Sequence, residues 1–264
     1  MSERVRITID SAVAHVCLTR PEKRNGLDRA MFDALIEAGK TIAADTSVRA
    51  VVLHGEGKAF CAGLDFADFM SSPDAGKRLL ERGPESPANV AQRAAWVWQE
   101  VPVPVIAAVH GVAFGGGMQI ALAADLRYVR PDAQLSVMEI RWGLIPDMAI
   151  TRTLLRQVPI DLAKELTFTG RILSGTEAAE LKLATRVCED PLAEATEMAK
   201  LIASKSPHAI RNGKKLLNEA ADLPLAGALK LETALQVPLL GSPNQMEAVQ
   251  ANMAKREPNF TDPE

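Results

Sequence analysis

Two short glycine-containing segments hold the residues best placed to do chemistry: Lys58-Ala-Phe-Cys-Ala-Gly-Leu-Asp65 and His110-Gly-Val-Ala-Phe-Gly-Gly-Gly-Met-Gln119. Each follows an apolar run that reads as a buried strand, so each puts backbone N–H groups at a strand end. Gly115, Gly116 and Gly117 stand directly before an apolar helical run. A loop without side chains there can offer an N–H to an anion, with the positive end of the helix behind it. Such a site suits an oxygen on which negative charge develops. The same glycines would also let the helix pack closely on a sheet, and the residues alone leave both readings open.

Other chemistries find no support. Gly55-Glu-Gly57 lacks the third glycine of a dinucleotide fingerprint, no Gly-Lys pair has the upstream glycine of a phosphate-binding loop, and no Gly-x-Ser-x-Gly elbow occurs. Cys17, Cys61 and Cys188, with His15, His54, His110 and His208, are too scattered for a disulfide framework or a metal site. That usage fits a reducing cytoplasm. Lys and Arg number 30 against 33 Asp and Glu, and the pair Lys214-Lys215 is too small a basic cluster to suggest a nucleic-acid partner. The apolar stretches around 101–126 are broken by Pro102, Pro104, three glycines and Asp125, so no membrane segment is expected.

The elements that must position these segments can be read from periodicity. With 264 residues, 47% of them hydrophobic, the chain can bury a full core as one large domain or two small ones. Val5, Ile7 and Ile9, then Val13 to Leu18, read as an opening hairpin around Asp10-Ser11. Residues 28–44 read as a helix capped by Asp28, followed by the strand Ala50 to Leu53 ending at Gly55. The pattern recurs: a polar stretch over 71–87, a helix over 88–100 and the strand Val105 to Val109. A helix from Met118 to Ala124 and short strands at Leu126 to Val129 and Leu135 to Val137 follow. From about 148 the strand signals fade. Ser174 to Glu177 offers a capping box, and 191–204, 207–221, 224–236 and 243–255 read as helices. The class predicted is α/β with a mostly helical C-terminal third.

Taken together and in order, these segments resemble the crotonase (enoyl-CoA hydratase/isomerase) superfamily. The resemblance runs from Leu18-Thr-Arg-Pro-Glu-Lys-Arg-Asn25 through Val51-Val-Leu-His-Gly55, Ala59 to Asp65 and Val105 to Gly117. It continues through Ala124-Asp125, Glu139-Ile-Arg-Trp-Gly-Leu-Ile-Pro146 and Thr169-Gly-Arg171 to Lys255-Arg-Glu-Pro-Asn-Phe260. It implies a spiral of ββα units over residues 1–204 and a helical region over 205–264 that serves trimerisation and covers the pocket. It also implies a homotrimer or dimer of trimers and an acyl-CoA substrate, coenzyme A being part of that substrate and no further cofactor being needed. Its oxyanion hole falls on the backbone N–H groups of Leu64 and Gly116, which agrees with the reading of the glycines above.

The resemblance also assigns the proton-transfer groups. Hydratases of the family carry two glutamates, and at the first position this chain has Gln119, an amide that cannot titrate, while at the second it has Glu139. Eight residues further stands Asp147, placed like the second carboxylate of the dienoyl-CoA isomerase branch, which itself carries an aspartate where this chain has Gln119. The plain alternatives are an N-cap role for Asp147 on a helix starting near Met148 and an ion pair of Glu139 with Arg141 or Arg152. For the substrate, the resemblance implicates Lys23, Arg24 and Lys58 toward the coenzyme A phosphates, and Ala59, Ala62, Asp65, Gly115, Gln119 and Trp142 around the thioester and acyl group. Phe66, Met70 and Trp96 are further candidates for the acyl pocket, while Val90, Ala94, Val97 and Val101 have core spacing. The expected reaction is enolate-stabilised double-bond isomerisation ahead of hydration. The rival from another class is an acyl-CoA-binding member with little catalysis.

Overall fold

The computed structural model describes residues 4–70, 75–84 and 86–264. β1 (Val5–Asp10) and β2 (Val13–Leu18) form the expected hairpin, with Asp10 opposite Val13. Ser11 and Ala12 between them both take positive φ, the conformation whose twist suits a two-residue connection. α1 (Arg29–Ala44) starts where Asp28 Oδ1 accepts the Met31 N–H at 2.9 Å, and Met31, Phe32, Leu35, Ala38 and Ile42 form its buried stripe. β3 (Ala50–Gly55) then returns parallel to β2.

The polar stretch after β3 holds more structure than its composition suggests. α2 (Phe66–Met70) is a short helix just ahead of it and α3 (Ala75–Leu79) one within it, while residues 71–74 and 85 lie outside the described residues. α4 (Val90–Glu100) begins at an Asn89 capping box with Gln92. It packs so closely on α1 that a Cβ on Gly39 would lie 2.2 Å from Val97 Cγ2. β4 (Val105–Val109), β5 (Val112–Phe114), α5 (Gly116–Ala123), β6 (Leu126–Val129) and β7 (Gln134–Ser136) follow in quick succession.

The last third is helical, as the sequence suggests, but two strands of two residues each escape its periodicity. The order is α6 (Ile150–Thr153), α7 (Ile160–Thr169), β8 (Leu173–Ser174), α8 (Gly175–Glu180), β9 (Arg186–Val187) and α9 (Pro191–Ala203), then α10 (Pro207–Ala220), α11 (Leu225–Gln236) and α12 (Pro243–Ala254). Ser174 caps α8 as predicted by accepting from the Glu177 N–H, whereas the Glu177 carboxylate pairs with Arg171 instead of closing the box.

The strands make a six-stranded sheet in the order β1-β2-β3-β4-β6-β9 and a three-stranded sheet in the order β5-β7-β8. Isolated parallel bridges, Leu27 with Leu64 and Cys61 with Ala113, extend the smaller layer back toward the start of the chain. Each turn therefore lays a strand in the large sheet, a short extended piece in the small one and then a helix, which is the expected spiral. β3 and β4 are buried on both faces: in β3, Val51 and Leu53 join the main core while Val52 and Ala50 pack under α9 with Ala195 and Ala199. That double burial explains why β3 and β4 read as unbroken apolar runs.

Candidate active site

β3 and β4 each deliver the chain to the same edge of the spiral, where the two glycine segments meet. Gly63 has a φ of +83°, and a Cβ there would stand 2.5 Å from the Phe114 carbonyl oxygen and 3.5 Å from the Gly116 nitrogen. Only glycine allows the two loops to touch in this way. Gly115 likewise has positive φ, and its N–H donates to Ser136 O at 2.9 Å. Gly117 seats the start of α5 on the Cys61 carbonyl, where a Cβ would come within 2.3 Å. Close packing is thus true of these glycines, and the Gly115 N–H is spent within the fold.

The Leu64 peptide is fixed from both sides, because the Leu27 N–H donates to Gly63 O at 2.8 Å and the Asp65 N–H donates to Leu27 O at 3.0 Å. Among the described residues, neither the Leu64 N–H nor the Gly116 N–H donates to a backbone carbonyl outside the helices and strands, and Gly116 is the first residue of α5, whose N–H has no partner within the helix. Both residues line a cavity of about 470 Å³. Its walls are mainly apolar, with Leu27, Phe32, Phe69, Leu79 and Met148 among them, and its side-chain polar groups are Gln119, Glu139 and Asp147.

Glu139 opens a short 3-10 turn, Glu139–Trp142. Its Oε1 accepts from Gln119 Nε2 at 2.6 Å, and its Oε2 is buried without a partner. Burial lifts the carboxyl above the usual glutamate value, Gln119 pulls it back, and the nearby Asp147 charge adds to the rise. Asp147 lines the same cavity at its rim, open to solvent on one side, and partial desolvation by the cavity wall raises it as well. Among the described residues, the ion pair considered for Glu139 is formed with neither Arg141 nor Arg152: Arg152 is engaged by Asp222, and Gln119 is the partner of the carboxylate. The N-cap considered for Asp147 is also overturned, since α6 starts at Ile150 with Ala149 in left-handed conformation as its cap residue and no side-chain cap.

The remaining candidates divide. Ala62, Gly115, Phe66 and Trp142 line the cavity, and the Trp142 and Phe66 rings lie 4.2 Å apart at its mouth. Ala59 is buried behind it, its carbonyl taken by Asn25 Nδ2 at 2.8 Å. Asp65 turns away from the cavity to Arg20 at 2.8 Å and accepts the Ala67 N–H at the start of α2. Lys23, Arg24 and Lys58 are exposed, and none lines the cavity, although the Arg24 carbonyl accepts from the Ala62 N–H in its wall. Met70 is exposed and outside the lining, Trp96 borders a separate cleft, and Trp98 is core. Lys214 is buried on Asp125 at 2.7 Å and on the Trp98 and Val103 carbonyls, so it is no surface charge.

The sequence reading missed the residues that hold the loops. Arg20 joins Asp28 and Asp65, and Asn25 ties the Arg20 N–H to the Glu56 and Ala59 carbonyls. Both stand in the Arg20-Pro-Glu-Lys-Arg-Asn25 stretch, but their partners are distant in sequence and left no local trace.

The fold brings two glycine-containing loops and two carboxyls together around one mainly apolar pocket. A family model described as enoyl-CoA hydratase/isomerase matches residues 8–263, and the chain belongs to that family, within the crotonase superfamily. It is 33% identical to the mitochondrial Delta(3,5)-Delta(2,4)-dienoyl-CoA isomerase of Mus musculus, over 97% of this chain and 81% of that one. It is 30% identical to an enoyl-CoA hydratase of Mycobacterium tuberculosis, over 93% and 91%. The crystal structure of enoyl-CoA hydratase from Bacillus anthracis aligns with a TM-score of 0.90 at 29% identity, covering 98% of this chain and 99% of that one.

Proposed function

We propose that this chain moves double bonds in acyl-CoA thioesters through an enolate, with isomerisation ahead of hydration. The thioester carbonyl oxygen accepts from the Leu64 and Gly116 N–H groups. A carboxylate takes a proton from one carbon, the C–H electrons flow into the enolate, and the second carboxyl returns a proton to another carbon as the electrons come back. Fixed N–H donors stabilise the developing charge without reorganising, which is the main physical advantage of such a site.

The observation that carries isomerisation is the state of Gln119. Its amide is spent at both ends, on Glu139 Oε1 and on the Met148 N–H at 2.8 Å, so it neither titrates nor offers a second base to a water. Glu139 and Asp147 are left as the two carboxyls on one apolar cavity, both shifted upward by desolvation, the direction that lets a carboxyl hold and return a proton. The experiment is a parallel assay on trans-2-enoyl-CoA and 3,5-dienoyl-CoA with wild type and Asp147→Asn. Isomerisation should dominate in wild type and fall at least tenfold in the variant. Dominant hydration with an unaffected variant would replace this reading by the hydratase one. Absence of substrate α-proton exchange with deuterated solvent would leave a binder.

A homotrimer or dimer of trimers completes the proposal, supported by apolar side chains exposed along the C-terminal helices: Leu217, Leu225, Leu229 and Met253. A cytoplasmic setting is supported by three cysteines that are all free thiols. Among the described residues, no helix is long and apolar enough to cross a membrane. Coenzyme A enters with the substrate, and every step above uses the chain's own groups.

A further inference from the structure

Gln119 lines the cavity and is 1% exposed. Its neighbourhood fixes which end of the amide points where. The Met148 backbone N–H can only donate, so the atom 2.8 Å from it is Oε1, and the donor Nε2 must face Glu139 Oε1 at 2.6 Å. Gly115 leaves room beside the same oxygen, since a Cβ there would lie 3.3 Å from it. Glu139 Oε1 is therefore held by the amide donor, while Oε2 is buried with no partner among the described residues.

We propose that Gln119 is a positioning residue of the reaction: its amide ties the turn bearing Glu139 to the segment bearing Asp147 and holds the Glu139 carboxyl in one orientation through Oε1. An N–H donated to the carboxylate favours its ionised form, so the same bond sets how readily Glu139 takes a proton. By holding Met148, the same amide sets the residue next to Asp147, so one side chain fixes the spacing of the two carboxyls. Asp147 is the ionisable group that acts on Glu139, and no Lys, Arg or His among the described residues pairs with it.

This inference rests on the role proposed above for Glu139, and the test separates the two. The kcat profile against pH is recorded for wild type and Glu139→Gln to identify the limb that Glu139 controls, then for Gln119→Met and Gln119→Glu. Losing the Nε2 donor removes a bond that favours the ionised carboxylate, so the midpoint of that limb should move up by about one pH unit in Gln119→Met, and further in Gln119→Glu, where a carboxylate faces Glu139. In Gln119→Met, kcat should drop about tenfold or more with KM changed less than threefold, because the loss is confined to proton transfer. Gln119→Glu keeps the acceptor for Met148 and nearly the same shape, so it carries the test should Gln119→Met fail to fold. A limb that stays in place in the folded variants, with only melting temperature lowered, would overturn the proposal. A fully active Glu139→Gln would instead overturn the proposed function.

Discussion

Glu139 and Asp147 hold their protons more tightly in the folded chain than in the unfolded one, because burial penalises the carboxylate more than the acid. A raised folded pKa favours folding while the proton is on. That contribution is complete below the ordinary glutamate value of 4.5 and is lost as pH climbs through the raised folded value. Glu139→Gln removes the ionisation, so its melting temperature should gain on wild type between pH 5 and pH 8, as scanning calorimetry at the two pH values would reveal. Turnover should meanwhile fall by roughly 10²–10⁴, the usual worth of a positioned acid or base. A variant that loses stability at every pH and keeps its rate would mark Glu139 as structural. At Gly116 a side-chain substitution is a poor probe, since any Cβ would press on Leu27 and Met148 at 2.7 and 2.8 Å. An amide-to-ester exchange deletes the N–H without adding an atom, and it should lower kcat by about 10²–10³ if this donor holds the enolate oxygen. An unchanged kcat would remove Gly116 from the site.

The elements around the cavity bring Leu64 and Gly116 to one wall of it. α5 begins one residue after β5 has crossed to the smaller sheet, so its N-terminus is aimed at the loop that leaves β3. Gly63 is the hinge point of that approach. Gly63→Ala should cost about 1–3 kcal/mol for a side chain at positive φ and should push the loops apart at the Phe114 carbonyl. Because the cost falls on the distance between the two donors, kcat should suffer at temperatures well below the melt. A destabilised variant of unchanged kcat would show that the loops need no such contact. The Arg20 link behaves differently. Removing its guanidinium in Arg20→Met leaves Asp28 and Asp65 buried without this shared partner, so the loss should appear first in the melting temperature.

At the scale of the molecule, an unfinished surface sets the expectation. Leu217 is 77% exposed and Met253 82%, and Leu225 and Leu229 lie open on α11, a helix with no buried residue. Ile140, Trp142, Leu144 and Ile145 add a second exposed apolar run at the cavity mouth. Patches of this kind mark contact surfaces. Light scattering at micromolar concentration should therefore report at least a trimer, and a combined Leu225→Glu, Met253→Glu variant should shift the mass toward monomer. A clean monomer of the unaltered chain would sink the oligomer proposal.

Much of this was legible in the sequence because it is local. Asp28 and Asn89 cap helices from within one turn, the runs at 50–55 and 105–109 are apolar because both faces of their strands are covered, and Pro191, Pro207 and Pro243 start helices where a missing N–H costs nothing. The glycines at 115–117 could be singled out by type and position, and the resemblance to the family marked the carboxyls at 139 and 147. β8 and β9 could not, since two residues carry no period, and Lys214 reads as a surface charge until Asp125 and two carbonyls close around it. The capping reading of Asp147 failed because left-handed Ala149 delays α6 to Ile150. Only the tertiary structure decided what Gln119 does. Its partners are 20 and 29 residues away, and the direction of an amide is set by which neighbour can donate and which can accept, a fact that exists only once the chain has folded.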